Sequence, residues 1–177
     1  SIAITDHGVM YGVVDFYKEA KKNGIKPIIG CEVYMAKNSM QEREGSKDRE
    51  ASHLVLLCKN NTGYQNLIKL VSLGFTEGFY YKPRIDYDTL QKYSEGLICL
   101  SACLAGDIPR FLRGGQYENA KSLALRLKDM FGEDSFYLEV QDHGIMEQKE
   151  VNVQIKQLSD ETGIPLVATN DIHYTQK

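Results

Sequence analysis

The chain has 177 residues, 42% of them apolar and 25% charged, which is the composition of one globular domain with a sizeable core. No run approaches the roughly 18–20 apolar residues of a membrane span, and no basic segment leads into an apolar one as in a secretion signal. A formal charge of −3 argues against gripping nucleic acid by overall charge, which needs a concentrated Lys/Arg surface.

The first residues, Ser1-Ile2-Ala3-Ile4-Thr5, read as a buried strand, and the chain closes on Gln176-Lys177 just after another strand. A piece of a longer polypeptide is expected to look this way. Residues 10–22 follow a helical period with Val14, Phe16 and Tyr17 on one side, stopping at Asn23-Gly24. A strand is expected at 27–36, then a polar, exposed and mobile loop over 38–51. The run 53–58 is a third strand, and 62–73 a helix with Thr62 as its N-cap and Leu67, Ile68, Leu70 and Val71 inward. Strands at 96–101, 135–140 and 165–169 alternate with amphipathic helices at 116–131 and 146–161. Most of the strand runs are almost continuously apolar, as in strands covered on both faces. The alternation predicts a parallel α/β fold, barrel or open sheet, in one domain.

Four cysteines, Cys31, Cys58, Cys99 and Cys103, lack zinc-finger spacing, and three sit in apolar runs as reduced core thiols do. A cytoplasmic location follows from that usage.

The chemistry-bearing residues gather near strand ends, where parallel α/β proteins place their sites. Asp6-His7-Gly8 follows the first strand, and Asn170-Asp171-Ile172-His173 follows the last. Glu139 and His143 bracket the end of the fifth strand, and Cys103 follows the fourth. Only His53 opens its strand instead of closing it. In extended chain, residues two apart point the same way, so Asp171 and His173 are expected to form half a metal shell. Glu32 lies inside an apolar strand, where a carboxylate must be paired, hydrogen-bonded or metal-bound. Read singly, each of these residues has an ordinary structural explanation; together they favour one shared site.

Five runs, Ile4-Thr5-Asp6-His7-Gly8, Gly30-Cys31-Glu32, Ser52-His53-Leu54, Leu100-Ser101-Ala102-Cys103 and Ala168-Thr169-Asn170-Asp171-Ile172-His173, resemble the polymerase and histidinol phosphatase (PHP) family. The stretches 60–67 and 77–86, the latter Glu77-Gly78-Phe79-Tyr80-Tyr81-Lys82-Pro83-Arg84-Ile85-Asp86, resemble more narrowly the PHP domains of bacterial DNA polymerase III alpha subunits. The resemblance runs over 1–177 and implies a distorted seven-stranded (βα) barrel, here lacking its first strand unit. It implies His7, Glu32, His53, Cys103, Asp171 and His173 as ligands of divalent ions, zinc or manganese, up to three in the complete domain. Further ligands would come from an H-x-H motif and an acidic residue on a strand before position 1. Asp6 is expected to orient His7, and His143 to stand behind the ligands or on the substrate side. The implied activity is metal-dependent phosphodiester hydrolysis, a 3′–5′ exonuclease, within a polymerase whose nucleotidyl-transfer residues lie elsewhere. DNA and other replicase subunits are the implied partners. Two other readings remain open: a structural module of the polymerase, and a stand-alone phosphoesterase of histidinol phosphatase type.

Overall fold

The computed structural model describes residues 1–45 and 49–174. They form two compact units, Ser1–Cys99 and Leu100–Lys177. Both mix strands with helices, and among the described residues no helix is long and apolar enough to cross a membrane.

In the first unit one strand organises the rest. Strand β2 (Pro27–Met35) takes β1 (Ile2–Ile4) as a parallel neighbour at its start, Ile2 opposite Pro27 and Ile4 opposite Ile29. Farther along the same strand, β5 (Lys82–Ile85) pairs in parallel, Tyr34 opposite Arg84. Its other edge carries β3 (Ser52–Cys58), antiparallel, from Gly30 opposite Leu57 to Met35 opposite Ser52. A two-residue strand, β4 (Phe79–Tyr80), folds back on β5, and β6 (Leu97–Leu100) begins beyond β3. The sheet is therefore mixed, not purely parallel as the alternation suggested. The short β4–β5 hairpin had no alternating pattern to announce it.

Two long helices cover this sheet. Helix α1 (Val13–Lys22) buries Val13 and Ala20 and leaves Val14 and Tyr17 outside. Its inward stripe is thus turned from the expected one, because Val13, Phe16 and Ala20 share the three-to-four spacing of a helix face. Helix α2 (Asn61–Thr76) is capped by Asn60, whose side chain accepts the Gly63 N–H at 3.0 Å, and not by Thr62. Leu67 and Leu70 are fully buried beneath it, whereas Ile68 is exposed. Gly63 is required by packing: a Cβ there would stand 1.8 Å from the Gly96 carbonyl oxygen.

The polar segment 38–51 falls partly outside the described residues, at 46–48. Its first part is held by side chains distant in sequence. Arg84, only 1% exposed, donates to the carbonyls of Gly78, Met40 and Glu42. Met40 is itself buried, and its N–H donates to Asp86 Oδ2 at 3.0 Å. Asp86 Oδ1 accepts the Thr89 N–H at 2.9 Å and so caps the short helix α3 (Tyr87–Lys92).

The second unit contains α4 (Asp107–Arg113), α5 (Tyr117–Phe131), β7 (Phe136–Val140), α6 (Met146–Thr162) and β8 (Leu166–Ala168). Strands β7 and β8 run parallel, with Glu139 opposite Val167. Ala120, Ala124 and Leu127 of α5, and Val151, Ile155 and Leu158 of α6, are buried at helical spacing. Gly163 closes α6 in a left-handed turn at φ +68°.

Burial alone would push the Asp86 carboxyl upward, but the Met40 and Thr89 hydrogen bonds prevail and hold it below its ordinary value. Its contribution is therefore complete above the ordinary carboxylate range and lost as pH falls through the lower folded value. Asp86→Ala should lower the unfolding free energy by about 1–2 kcal/mol at neutral pH. In denaturant titrations that difference should shrink towards zero in strong acid.

Candidate metal centre

Strand direction brings three of the candidate ligands together in the first unit. Chain beyond β1 stays beside β2: the Glu32 N–H donates to the Asp6 carbonyl at 3.1 Å and the Gly8 N–H to the Glu32 carbonyl at 2.8 Å. His7 is thereby fixed opposite Glu32. On the other edge His53 lies opposite Tyr34, two residues from Glu32 and on its diagonal. Because β3 runs antiparallel, its first residues stand at the end of β2. The one histidine that opened a strand thus reaches the same end of β2 as His7.

Three side chains converge there. Glu32 Oε1 lies 3.0 Å from His7 Nδ1 and 2.7 Å from His53 Nδ1. One ligand atom from each of the three falls within 4.8 Å of the others. The imidazoles stand edge to face with centroids 5.9 Å apart, and Tyr34 packs edge-on against His53 at 5.3 Å. Glu32 is 4% exposed, and its Oε1 receives no aligned hydrogen bond despite the two nitrogens facing it. A buried carboxylate oxygen facing two imidazole nitrogens is a donor set suited to a borderline divalent cation such as zinc. The residues fit a metal.

Gly8 lets this corner close. Its φ of +69° is left-handed, and a Cβ would stand 2.9 Å from both Pro83 Cγ and the Tyr34 ring. Asp6 acts here through its backbone: its carbonyl also accepts from the Cys31 thiol at 3.3 Å. Cys31 is fully buried, and burial pushes its thiol up to about 12, so it is the reduced core thiol expected. Cys58 follows, raised by burial to about 11.

The second unit holds Cys103, Asp171 and His173. Cys103 follows Ala102, which takes a left-handed φ of +65°, and lines a narrow cleft with Glu139 and Gln141. Asp171 is not extended. Its φ is +44°, and β8 ends three residues earlier at Ala168. Asp171 and His173 are therefore not alternate residues of one extended strand. Instead the His173 Nδ1–H donates to the Asp171 carbonyl at 2.9 Å, with Asp171 Oδ1 at 3.9 Å. That bond sets the tautomer and makes Nε2 the lone-pair side of the ring, the form a metal needs.

His143 has a defined environment in the same unit. The Gln148 side-chain amide donates to its Nδ1 at 2.9 Å, so Nε2 carries the proton and donates to the Asn170 carbonyl at 2.8 Å. The Gln148 Oε1 accepts the His143 N–H, completing the clamp. His143 thus holds the residue preceding Asp171. Glu139, which the sequence placed among the strand-end residues but outside the implied ligand set, is 4% exposed. It accepts from Thr169 Oγ1 and, at 3.0 Å, from Gln141 Nε2. Burial raises its carboxyl above the ordinary range, those two hydrogen bonds offset part of the rise, and the Asp171 charge adds to it. An acid inside the apolar run Phe136–Val140 was the available signal.

A model of the PHP domain matches residues 1–143, and the chain belongs to the PHP domain family. The chain is 54% identical over 177 residues to DNA polymerase III subunit alpha of Borreliella burgdorferi, a match covering 99% of this chain and 15% of that protein. The corresponding protein of Treponema pallidum is 47% identical over 178 residues, and that of Thermus aquaticus 45% over 179, each covering 100% of this chain and 15% of the relative. The chain therefore spans about 15% of the length of these curated relatives.

Glu32→Gln keeps the shape of the side chain and removes its charge. It should weaken binding of zinc or manganese by more than about tenfold in isothermal titration calorimetry. Unchanged affinity would place the ion elsewhere.

Proposed function

We propose that this chain is the PHP domain of a bacterial replicative DNA polymerase alpha subunit, and that it hydrolyses phosphodiesters at the 3′ end of DNA. The observation that carries this reading is the convergence of His7, Glu32 and His53 on one buried carboxylate oxygen. The names of the relatives support the polymerase setting. In that setting the domain works in the cytoplasm on DNA, beside other replicase subunits.

His7, Glu32 and His53 would hold one part of a divalent-metal site, with Cys103, Asp171 and His173 as the remaining ligands in this chain. Bound divalent ions, zinc or manganese and up to three in number, would acidify a water and offset charge developing on the phosphate oxygens. The protein's own share is positional. Glu32 supplies the negative charge that makes the pair of imidazoles a cation site. Tyr34 fixes the plane of His53. The His143 clamp and the Glu139–Thr169 hydrogen bond hold the turn that carries Asp171 and His173. Asp6 orients His7 by fixing its backbone against β2.

The test uses the full-length protein and a 3′-labelled single-stranded oligonucleotide. Even residues standing behind metal ligands cost about 10–100-fold when removed, so His7→Ala and Asp171→Ala should each slow cleavage by about a hundredfold or more. Wild-type cleavage in both variants would contradict the proposal. Absence of metal-dependent cleavage from the unaltered protein, together with loss of thermal stability in the variants, would instead favour the structural-module reading.

A further inference from the structure

The β4–β5 hairpin carries a set of rings and cations that the metal centre does not use. Tyr81 is the single residue between β4 and β5, since Tyr80 pairs directly with Lys82. It sits at φ +60°, a left-handed conformation that Gly or Asn adopts far more readily. It is also 59% exposed. A large aromatic held in a costly conformation and turned to solvent contributes nothing to a core. Such outliers concentrate where a side chain must be presented.

The presentation is rigid. Buried Arg84 stacks its guanidinium 5.3 Å from the Tyr80 ring centroid, and the Tyr80 hydroxyl donates to the Gly45 carbonyl. Tyr80 in turn meets Tyr81 edge to face at 4.8 Å. The Arg49 guanidinium covers the Tyr81 ring at 4.8 Å. Next along the hairpin, the Lys82 ammonium lies 4.9 Å from the Tyr34 ring centroid and donates to the Tyr34 hydroxyl at 3.5 Å. Neither Arg49 nor Lys82 has a carboxylate partner among the described residues. Tyr34 is the ring that packs on His53. Cations and rings therefore alternate from the hairpin tip as Arg49, Tyr81, Lys82 and Tyr34, and Tyr34 abuts His53 of the metal centre.

Stacking rings interleaved with unpaired cations are what a single nucleic-acid strand needs, the rings for bases and the cations for phosphates. Duplex DNA offers no unstacked base to such a row. The low overall charge of the chain is no obstacle, because only a short stretch of strand is held. We propose that Tyr81 and Lys82, with Arg49, form the track that leads a single-stranded DNA 3′ end to His7, Glu32 and His53. Tyr81 stacks an unpaired base, and Lys82 contacts a phosphate next to the one at the metal centre. This assignment rests on the phosphodiester reading above and adds the substrate path to it.

Photocrosslinking separates the two. An oligodeoxythymidylate with 4-thiothymidine near its 3′ end is bound to the full-length protein in chelator, so that no cleavage occurs, then irradiated and mapped by mass spectrometry. The crosslink is expected within residues 79–84, with duplex competing far less well than single strand. Tyr81→Asn, which suits the left-handed backbone but removes the ring, and Lys82→Gln should each lower its yield about tenfold. Tyr81→Phe and Lys82→Arg should restore it. Absence of a crosslink within residues 79–84, or unchanged yield there in Tyr81→Asn and Lys82→Gln, would overturn the track. If cleavage is absent while this crosslink forms, the hydrolytic reading fails and the track stands. Cleavage with no crosslink here rejects the track alone.

Discussion

A carboxylate buried between two imidazoles is the constraint around which the first unit is built. Taking the Glu32 charge out of water costs several kcal/mol unless something of opposite character faces it. Nothing local does: its chain neighbours are Cys31 and Val33. The compensation arrives from β1 and β3, which bring His7 and His53 to 3.0 and 2.7 Å. Each of those approaches has further requirements. Gly8 must lack a side chain for the turn after His7 to pass Tyr34 and Pro83, and β3 must run against β2 for His53 to arrive at the correct end. A cation among the three removes the electrostatic conflict of leaving Glu32 Oε1 without a hydrogen bond.

Glu139 meets the same problem with different partners, its Oε1 accepting two hydrogen bonds while its buried Oε2 accepts none. It is as buried as Glu32, yet its partners are a hydroxyl and an amide instead of imidazoles. Those groups hydrogen-bond a carboxyl without offering a metal any ligand of comparable strength. Thr169 and Gln141 tie Glu139 to the turn that precedes Asp171, as His143 ties Asn170. Glu32 thus faces groups that could share an ion with it, whereas Glu139 faces groups that tie it to a loop. The difference lies in what faces each acid and not in the acid itself.

Much of the architecture was legible because burial and period are local properties of sequence. The apolar runs that read as strands became β1, β2, β3, β6, β7 and β8, and the four long helical patterns became α1, α2, α5 and α6. Strand direction was not legible, because the antiparallel course of β3 depends on a pairing distant in sequence. His53 looked misplaced for that reason alone. The β4–β5 hairpin was missed because a two-residue strand and a left-handed tyrosine carry no periodic signal. The loop beginning at residue 38 looked solvated, since the burial of Met40 and the reach of Arg84 are tertiary facts. Asp171 was read as extended from an alternation rule that its positive φ breaks. The identities of the candidate ligands nonetheless came from sequence, through motifs and family resemblance.

Glu32 is held as a metal ligand in this account, and not as one member of a dry ion pair. The most direct measurement is the anomalous scattering of manganese or zinc in crystals of the protein grown with the ion, collected on both sides of its absorption edge. A peak bonded to Glu32 Oε1 and to an imidazole nitrogen of both His7 and His53 is expected. A Glu32 carboxylate hydrogen-bonded to protonated His7 or His53, with no anomalous density beside it at saturating metal, would contradict it.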